Sequence, residues 1–250
     1  MHRLLIVGTP RSGNTWLRYL LSEIYNLKQF AVHTPDALDW ESLPDNCVVQ
    51  MHWHNSPTFR PLLNEHNFRV VVIARHPLDV LISILHFAPH EAETLHWLAG
   101  ECGDERSIHH KSPVSPEFIA YAVGSRANAL LSVSRAWWGA PDDVVSVRYE
   151  DLVQDTVGSL AKITEQLWPV ARPISEVVET LTLKKLKPSA KNQHFWKGQP
   201  GLWKALLPSE FAIRIAKANE SSLSKFGYLC DPDPLLTSDE AERHWINLSH

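Results

Sequence analysis

The sequence predicts an α/β fold, a three-layer sandwich with a central parallel sheet and a P-loop-like phosphate-binding loop. Short apolar runs alternate with segments whose apolar residues have helical spacing, and this order is typical of parallel sheets covered by helices. Residues 69–74 are apolar at odd and even positions, as expected for a strand buried on both faces. A glycine-containing loop, residues 8–15, lies between the first apolar run and the first helical segment.

Each predicted element has a local signal. Residues 4–7 are a short apolar run that ends at Gly8, which predicts a buried strand. The helix after the loop is indicated by the spacing of Trp16, Leu17, Leu20, Leu21 and Ile24. Residues 47–51 and 144–149 are further strand candidates. Pro77 occupies a favoured first helical position, and a helix after it is indicated by Val80, Leu81, Ile84 and Leu85.

The chain is interpreted as a single domain, residues 1–250. Residues from about 88 to 116 lack a clear period, which predicts an irregular insertion or lid. Residues 184–208 are rich in Lys, Pro, Gly and Trp and are expected to form a loop. The tail, residues 231–250, begins with two Asp-Pro pairs and is expected to be exposed and poorly fixed.

Composition excludes several classes of protein. A net charge of -4 disfavours a general nucleic-acid binder, which usually carries a basic face. Three scattered cysteines do not form the pattern of a disulfide framework or a zinc site. No apolar run approaches the roughly 20 residues of a membrane-spanning helix, and the N-terminus lacks the pattern of a signal peptide. We therefore expect a cytoplasmic protein that does not span a membrane.

The loop at residues 8–15 has the spacing of an anion cradle, in which backbone N–H groups and a helix N-terminus face a phosphate. A nucleoside triphosphatase has Lys where this chain has Asn14, and it also needs a carboxylate after an apolar strand to hold Mg²⁺. Here the strand at 69–74 is followed by Arg75, and Arg11 lies within the loop. The pattern predicts an anion site that works without a metal.

Four segments, in order along residues 3 to about 228, resemble the PAPS-dependent sulfotransferase family. Residues 9–16 (TPRSGNTW) are similar to the loop that binds the 5′-phosphosulfate in that family. Residues 75–80 (RHPLDV), with Ser83 eight positions after Arg75, resemble the 3′-phosphate motif. Residues 149–152 (YEDL) and 197–204 (KGQPGLWK) resemble two further family segments, of which the second is a cofactor clamp.

The resemblance implies a donor, PAPS, and the residues that hold it. The implied nucleotide-binding set is Arg11, Ser12, Gly13, Asn14, Thr15, Trp16, Arg75, Ser83, Tyr149, Thr182, Lys197 and Gly198. Thr182 corresponds only loosely to a family serine, and Tyr149 can also be a structural aromatic. PAPS carries two anionic groups, which the Arg11 loop and Arg75 can each neutralise.

The resemblance also implies two catalytic residues. His52 aligns with the histidine that serves the family as general base, and an imidazole suits that role at neutral pH. His54 is the alternative base, two positions away. Arg11 takes the position of a catalytic lysine and is expected to stabilise charge rather than to donate a proton.

Two departures from the family pattern concern the same site. Gln50 replaces a lysine, and Trp196 replaces an arginine before Lys197. No segment identifies the acceptor, which is expected to be a small molecule or carbohydrate with a hydroxyl or amine; Trp53, Trp97 and Trp196 are candidates for its binding surface. The alternatives are a P-loop kinase of a small molecule and a nucleotide-binding module without turnover.

Overall fold

A parallel sheet forms the centre of the computed structural model, which describes residues 1–140, 143–186 and 196–249. Its strands are β1 (His2–Gly8), β2 (Lys28–Ala31), β3 (Asn46–Met51), β4 (Phe68–Ala74) and β5 (Val144–Arg148). They lie in the order β2-β3-β1-β4-β5, and every neighbouring pair is parallel. The four predicted strands are therefore confirmed. The fifth, β2, is a short, largely exposed edge strand with no continuous apolar run to indicate it.

Helices cover both faces of the sheet, as predicted. They are α1 (Asn14–Tyr25), α2 (Phe59–Glu65), α3 (Pro77–Phe87), α4 (Pro116–Ala122), α5 (Ser125–Trp137), α6 (Tyr149–Gln154), α7 (Thr156–Glu165), α8 (Ile174–Thr180), α9 (Leu183–Leu186), α10 (Ser209–Ala218), α11 (Glu220–Phe226) and α12 (Ser238–Ser249). The predicted helix after the loop is α1, and the one that begins at Pro77 is α3. Among the described residues, the expected three-layer α/β sandwich is confirmed.

Two hydrophobic cores form because successive strand residues face opposite sides of the sheet. In β1, Leu5 and Val7 pack with α2, α3 and α5, whereas Leu4 and Ile6 pack with α1 and α7. The same alternation in β4 explains why residues 69–74 are apolar at nearly every position. The carboxyl ends of the strands meet at one edge of the sheet, where the polar residues that follow them come together.

Residues 88–116 contain short 3-10 helices at Ala88–His90, Ala92–Gly100 and Arg106–Ile108. Leu98 and Ala99 have φ values of 51° and 53°, a left-handed conformation that ordinary L residues seldom adopt. Tertiary contacts must therefore hold this segment, since its local sequence does not favour that backbone.

The expectation of a poorly fixed tail at residues 231–250 is wrong for residues 238–249, which form α12. Its first turn is closed by a capping box: Thr237 N–H donates to Glu240 Oε2 at 3.0 Å, and Glu240 N–H donates to Thr237 Oγ1 at 3.3 Å. Ala241 and Trp245, four residues apart, are buried. The helical spacing and the capping pair were present in the sequence, but the two Asp-Pro pairs before them suggested an unstructured end.

No helix within the described part of the chain has the length and apolar character needed to cross a membrane.

Candidate active site

A cavity of about 240 Å³ lies at the carboxyl ends of the central strands. The residues that follow β1, β4 and β5 contribute one group of lining residues, here called the loop set: Arg11, Gly13, Asn14, Thr15, Trp16, Arg75, Ser83, Tyr149 and Gly198. A second group, here called the aromatic set, comes from other segments: Val32, His33, Phe87, Glu91 and Trp97. Strands β2 and β3 lie on one side of β1, and β4 and β5 lie on the other, so the order of the strands reverses at β1. The carboxyl edge at such a reversal is a favourable position for a ligand.

The loop after β1 is held by hydrogen bonds within itself and to α5. Thr9 N–H donates to Ser134 Oγ at 2.7 Å, and Ser134 Oγ donates to Ile73 O at 2.8 Å, so the loop is tied to α5 and β4. Asn14 Nδ2 donates to Thr9 O at 2.9 Å and closes the loop from inside. Asn14 therefore shapes the loop at the position where a nucleoside triphosphatase has its phosphate-binding lysine.

Gly13 is required by its backbone and by its neighbour. Its φ of 96° is in the left-handed region, and a Cβ at this position would lie 2.5 Å from Cδ2 of Tyr149. The start of α1 consequently approaches the Tyr149 ring closely and leaves the backbone facing the cavity.

Arg11 enters the cavity from the loop. Its Nε donates to Ser83 Oγ at 3.1 Å, and its guanidinium lies 4.1 Å from the centroid of the Phe87 ring. Burial, with a contribution from nearby Arg75, lowers the pKa of Arg11 to about 9. The side chain remains a cation at neutral pH, but its charge is poorly solvated, which favours an anion beside it.

Arg75 is the second cation of the cavity and is buried. Its Nη1 and Nη2 donate to Arg11 O and Gln199 O, both at 3.3 Å, and its guanidinium lies 4.7 Å from the centroid of Tyr149. Its Nε has no hydrogen-bond partner among the described residues. Arg75 therefore links the loop after β1 to the segment around Gly198. Its Nε is left as a charged donor that an anionic ligand can pair with.

The segment from Gly198 to Trp203 is held by three hydrogen bonds, one from Tyr149 and two to Asp79. Tyr149 Oη donates to Gly198 O at 2.8 Å, and burial raises the pKa of Tyr149, so it stays a neutral donor. Asp79, near the start of α3, accepts from Gly201 N–H at 2.6 Å and from Trp203 N–H at 3.0 Å. This explains the Asp in residues 75–80: it holds the segment that closes the cavity.

His52 follows β3, lines the cavity, and contacts the end of β1 and Trp97 of the aromatic set. Its Nδ1 lies 2.7 Å from Gly8 O, and its ring meets Trp97 edge-on at a centroid distance of 6.3 Å. Because a carbonyl oxygen can only accept, Nδ1 carries the hydrogen in the neutral ring, and the basic position is Nε2. His54 instead contacts Ser132 Oγ through Nε2 at 2.8 Å and is not among the described residues that line the cavity.

Five buried polar atoms around the cavity have no hydrogen-bond partner within the described residues. They are Ser12 Oγ, Asn14 Oδ1, Arg18 Nε, Gln50 Oε1 and Arg75 Nε. A buried unpaired polar group is costly, and such groups are common where a ligand completes the pairing. Three of the five, Ser12 Oγ, Arg18 Nε and Arg75 Nε, are donors, and they fit the oxygens of an anionic group.

The other residues predicted from the sequence occupy different places. Thr15, Trp16 and Gly198 line the cavity, whereas Ser12 lies beneath the loop surface, and Lys197 is exposed beside the cavity. Thr182 is not part of the described lining; its Oγ1 accepts from Lys185 N–H at 3.3 Å. Of the tryptophans proposed for an acceptor surface, Trp97 and Trp196 line the cavity, and Trp53 O accepts from Trp137 Nε1.

Arg18 and Tyr19 also line the cavity, although the motifs in the sequence did not predict them. They lie on α1 three and four positions after Thr15, and this spacing places them on the face that Thr15 presents. Glu91 and residues 31–33 have no comparable signal. In the ranges that the structure describes, no group of three metal-ligating side chains is found.

Comparisons with known proteins show which family and fold the chain shares. The family model named Sulfotransferase domain matches residues 2–227. A flavonol sulfotransferase-like protein of Flaveria bidentis is 22% identical over 271 residues, which cover 90% of this chain and 83% of the relative. Cytosolic sulfotransferase 12 of Arabidopsis thaliana is 22% identical over 269 residues, which cover 90% of this chain and 78% of the relative.

Two solved structures share the fold. Mouse sulfotransferase SULT7A1, complexed with PAP, matches with a TM-score of 0.63 at 16% identity and covers 91% of this chain and 89% of its own. Retinol dehydratase, in complex with androsterone and the inactive cofactor PAP, matches with a TM-score of 0.58 at 16% identity, covering 95% of this chain and 83% of its own.

Proposed function

The chain belongs to the sulfotransferase domain family, and from that membership we propose that it transfers a sulfuryl group from PAPS to a hydroxyl or amine of a small-molecule acceptor. The observation that carries the proposal is one cavity that brings Arg11 and Arg75 together with a histidine, His52, whose basic nitrogen is defined by its contact with Gly8 O. The expectation of a sulfotransferase family enzyme is confirmed by the match to residues 2–227.

The loop set fits a nucleotide with two separate anionic groups. Loop amides at the start of α1, with the Arg11 guanidinium, would hold the 5′-phosphosulfate. Arg75 and Ser83 would hold the 3′-phosphate, for which the unpartnered Nε of Arg75 is the support. Tyr149 and Trp16 meet edge-on at a centroid distance of 6.4 Å and would face the adenosine, which the Gly198 segment would cover.

PAPS, when bound, supplies the sulfuryl group and a phosphate leaving group. His52 would accept the proton of the acceptor hydroxyl or amine at Nε2 while Gly8 O holds the ring through Nδ1. Arg11 would stabilise the negative charge that develops at the leaving oxygen, and because arginine is a poor acid it does so without giving up its proton. Charge stabilisation by guanidinium groups and amides, without a metal, is part of the proposal.

The aromatic set favours an acceptor with a flat or apolar portion. Phe87 and Trp97 stack with an interplanar angle of 7° and a centroid distance of 6.1 Å, and His52 faces Trp97. The retinol dehydratase structures contain retinol or androsterone, small apolar molecules, and this supports a small-molecule acceptor here.

Three free cysteines and the relative named Cytosolic sulfotransferase 12 support a cytoplasmic location.

A transfer assay tests the proposal. Purified protein is incubated in EDTA with PAPS labelled in its sulfuryl group and with a panel of phenols, aliphatic alcohols, sugars and amines. The proposal predicts labelled product from at least one acceptor, together with adenosine 3′,5′-bisphosphate. A parallel incubation with γ-labelled ATP and Mg²⁺ is the control. Labelled product in that control alone would support a kinase instead.

A further inference from the structure

The C-terminal helix α12 contacts a residue of the cavity wall although it lies beyond residues 2–227, the part matched by the family model. It packs through the buried side chains of Ala241 and Trp245. His244 Nδ1 lies 2.9 Å from Ala205 O and joins the helix to the chain that follows Trp203. The helix is therefore attached beside the segment that closes the nucleotide site.

Trp196 is the residue through which α12 meets the cavity. Its ring stacks on His86 of α3 at a centroid distance of 4.1 Å and an interplanar angle of 14°. From α12, Trp245 meets it edge-on at 5.9 Å, and Leu248 O accepts from Trp196 Nε1 at 3.3 Å. Trp196 also lines the cavity, so within the described residues α12 supplies an aromatic contact and a hydrogen bond to one of its walls.

Trp196 is the first residue of the segment that closes the cavity, residues 196–201. Gly198 O, two residues on, accepts from Tyr149 Oη, and Gln199 O accepts from Arg75 Nη2. At the other end of the segment, Asp79 holds Gly201 N–H. The segment is thus fastened at its carboxyl end by α3 and at its amino end by the stack on Trp196.

The stack adds no charge of its own. Burial, with contributions from His90, Arg11 and Lys197, lowers the pKa of His86 to about 4, so the ring is neutral at physiological pH. Trp245 also meets His86 edge-on at 6.2 Å. A neutral aromatic stack occupies the place where the sulfotransferase motif has an arginine, and it orders the backbone there by packing.

We propose that α12 is a positioning element of the nucleotide site, which holds Trp196 and thereby pre-orders residues 196–201 for binding of the donor. The inference rests on the proposed function, because the ligand that it concerns is the nucleotide. Pre-ordering a binding segment raises affinity, since less conformational entropy is lost on binding. Trp245 is a positioning residue in this account and does not touch the ligand.

The test compares Trp245→Ala with Ile246→Ala, a change at the next position of the same helix, where the side chain is exposed. The dissociation constant for adenosine 3′,5′-bisphosphate is measured by calorimetry at a temperature where both variants are folded. We expect Trp245→Ala to raise it about 3- to 10-fold, the range of an aromatic pair contribution, and Ile246→Ala to leave it unchanged. Trp245→Phe, which keeps an aromatic edge, should restore most of the affinity.

The outcomes separate the two proposals. A wild-type chain that does not bind the bisphosphate contradicts the proposed function itself. Wild-type affinity in Trp245→Ala, even with a lowered melting temperature, shows that α12 is structural and overturns the positioning role. Where Trp245→Ala does not fold, Trp245→Leu replaces it: weaker binding than in Trp245→Phe supports the role, and equal binding overturns it.

Discussion

The loop set and the aromatic set line the same cavity but are held in place by different means. Most of the loop set follows strand ends, since Arg75 comes directly after β4 and Tyr149 directly after β5. Its side chains also bond to backbone oxygens of other segments, as Tyr149 Oη does to Gly198 O. The aromatic set has no such origin, since Trp97 belongs to an irregular segment whose backbone is locally unfavourable.

A buried ion pair holds that irregular segment. Arg126 of α5 donates to Glu105 Oε1 at 2.8 Å, to Trp97 O at 3.1 Å and to Glu101 O at 2.7 Å. Glu105 is fully buried, and burial raises its pKa although Arg126 opposes the shift. One guanidinium thus fixes several turns of residues 92–105. The loop set is therefore tied to the sheet and its helices by several separate contacts, whereas Trp97 of the aromatic set depends on the one guanidinium of Arg126.

Substitution of His52, which lies between the loop set and the aromatic set, should have the largest effect on activity. His52→Ala removes the proposed base, and we expect kcat to fall by roughly 10²–10⁴ with little change in the affinity for adenosine 3′,5′-bisphosphate. His54→Ala is the matched control, because its ring contacts Ser132 outside the cavity lining. Steady-state kinetics on both variants decide between them; an inactive His54→Ala beside an active His52→Ala would reverse the assignment.

Arg126 tests the aromatic set. Arg126→Met leaves Glu105 buried without its partner, which should lower the free energy of unfolding by about 3–5 kcal/mol. Where the variant remains folded, the acceptor KM should rise more than the dissociation constant of the nucleotide. Urea unfolding and calorimetry check these outcomes. Equal losses for acceptor and nucleotide would show that the two sets are not held independently.

Arg75 tests the loop set. Arg75→Ala should weaken binding of adenosine 3′,5′-bisphosphate by about 2–5 kcal/mol, as for a buried charge-assisted contact. Removal of the 3′-phosphate from the ligand should cost the wild type a similar amount and the variant little. Arg214→Ala, an exposed change of the same charge, is the control. If both proteins lose the same affinity when the 3′-phosphate is absent, Arg75 does not contact it.

Thr182 should give the smallest effect. Its Oγ1 contacts Lys185 N–H and does not reach the described lining of the cavity. Thr182→Ala is therefore expected to change the nucleotide dissociation constant by no more than about twofold, as for a peripheral substitution. A loss of tenfold or more in calorimetry would place Thr182 in the loop set, as the family resemblance implies.

Much of the fold was predictable because its signals are local. The apolar runs of β1, β3, β4 and β5 and the stripes of α1 and α3 report burial directly. β2 was missed because an exposed edge strand buries little and needs no apolar run. α12 was missed although a capping box starts it, because the preceding Asp-Pro pairs carried more weight in the interpretation than the spacing of Ala241 and Trp245.

In the candidate site, too, the residues with a local sequence signal were predictable and those held by long-range contacts were not. Most of the loop set could be predicted because it is carried by short motifs that directly follow strands, with Arg11 after β1 and Arg75 after β4. The place of Trp97 in the aromatic set could not, because its carbonyl oxygen is held by Arg126, which lies 29 positions away along the chain. The role of Trp196 depended on α12, a contact across 52 positions that no local pattern records.

The most direct test of the central claim is calorimetric titration of the wild-type chain in EDTA with adenosine 3′,5′-bisphosphate, and of a second sample with ATP and Mg²⁺. The loop set of Arg11 and Arg75 predicts one-to-one binding of the bisphosphate without a metal, with a dissociation constant at least about tenfold below that of ATP with Mg²⁺, a difference of about 1.4 kcal/mol. Tighter binding of ATP, or binding of the bisphosphate only when Mg²⁺ is added, would contradict it.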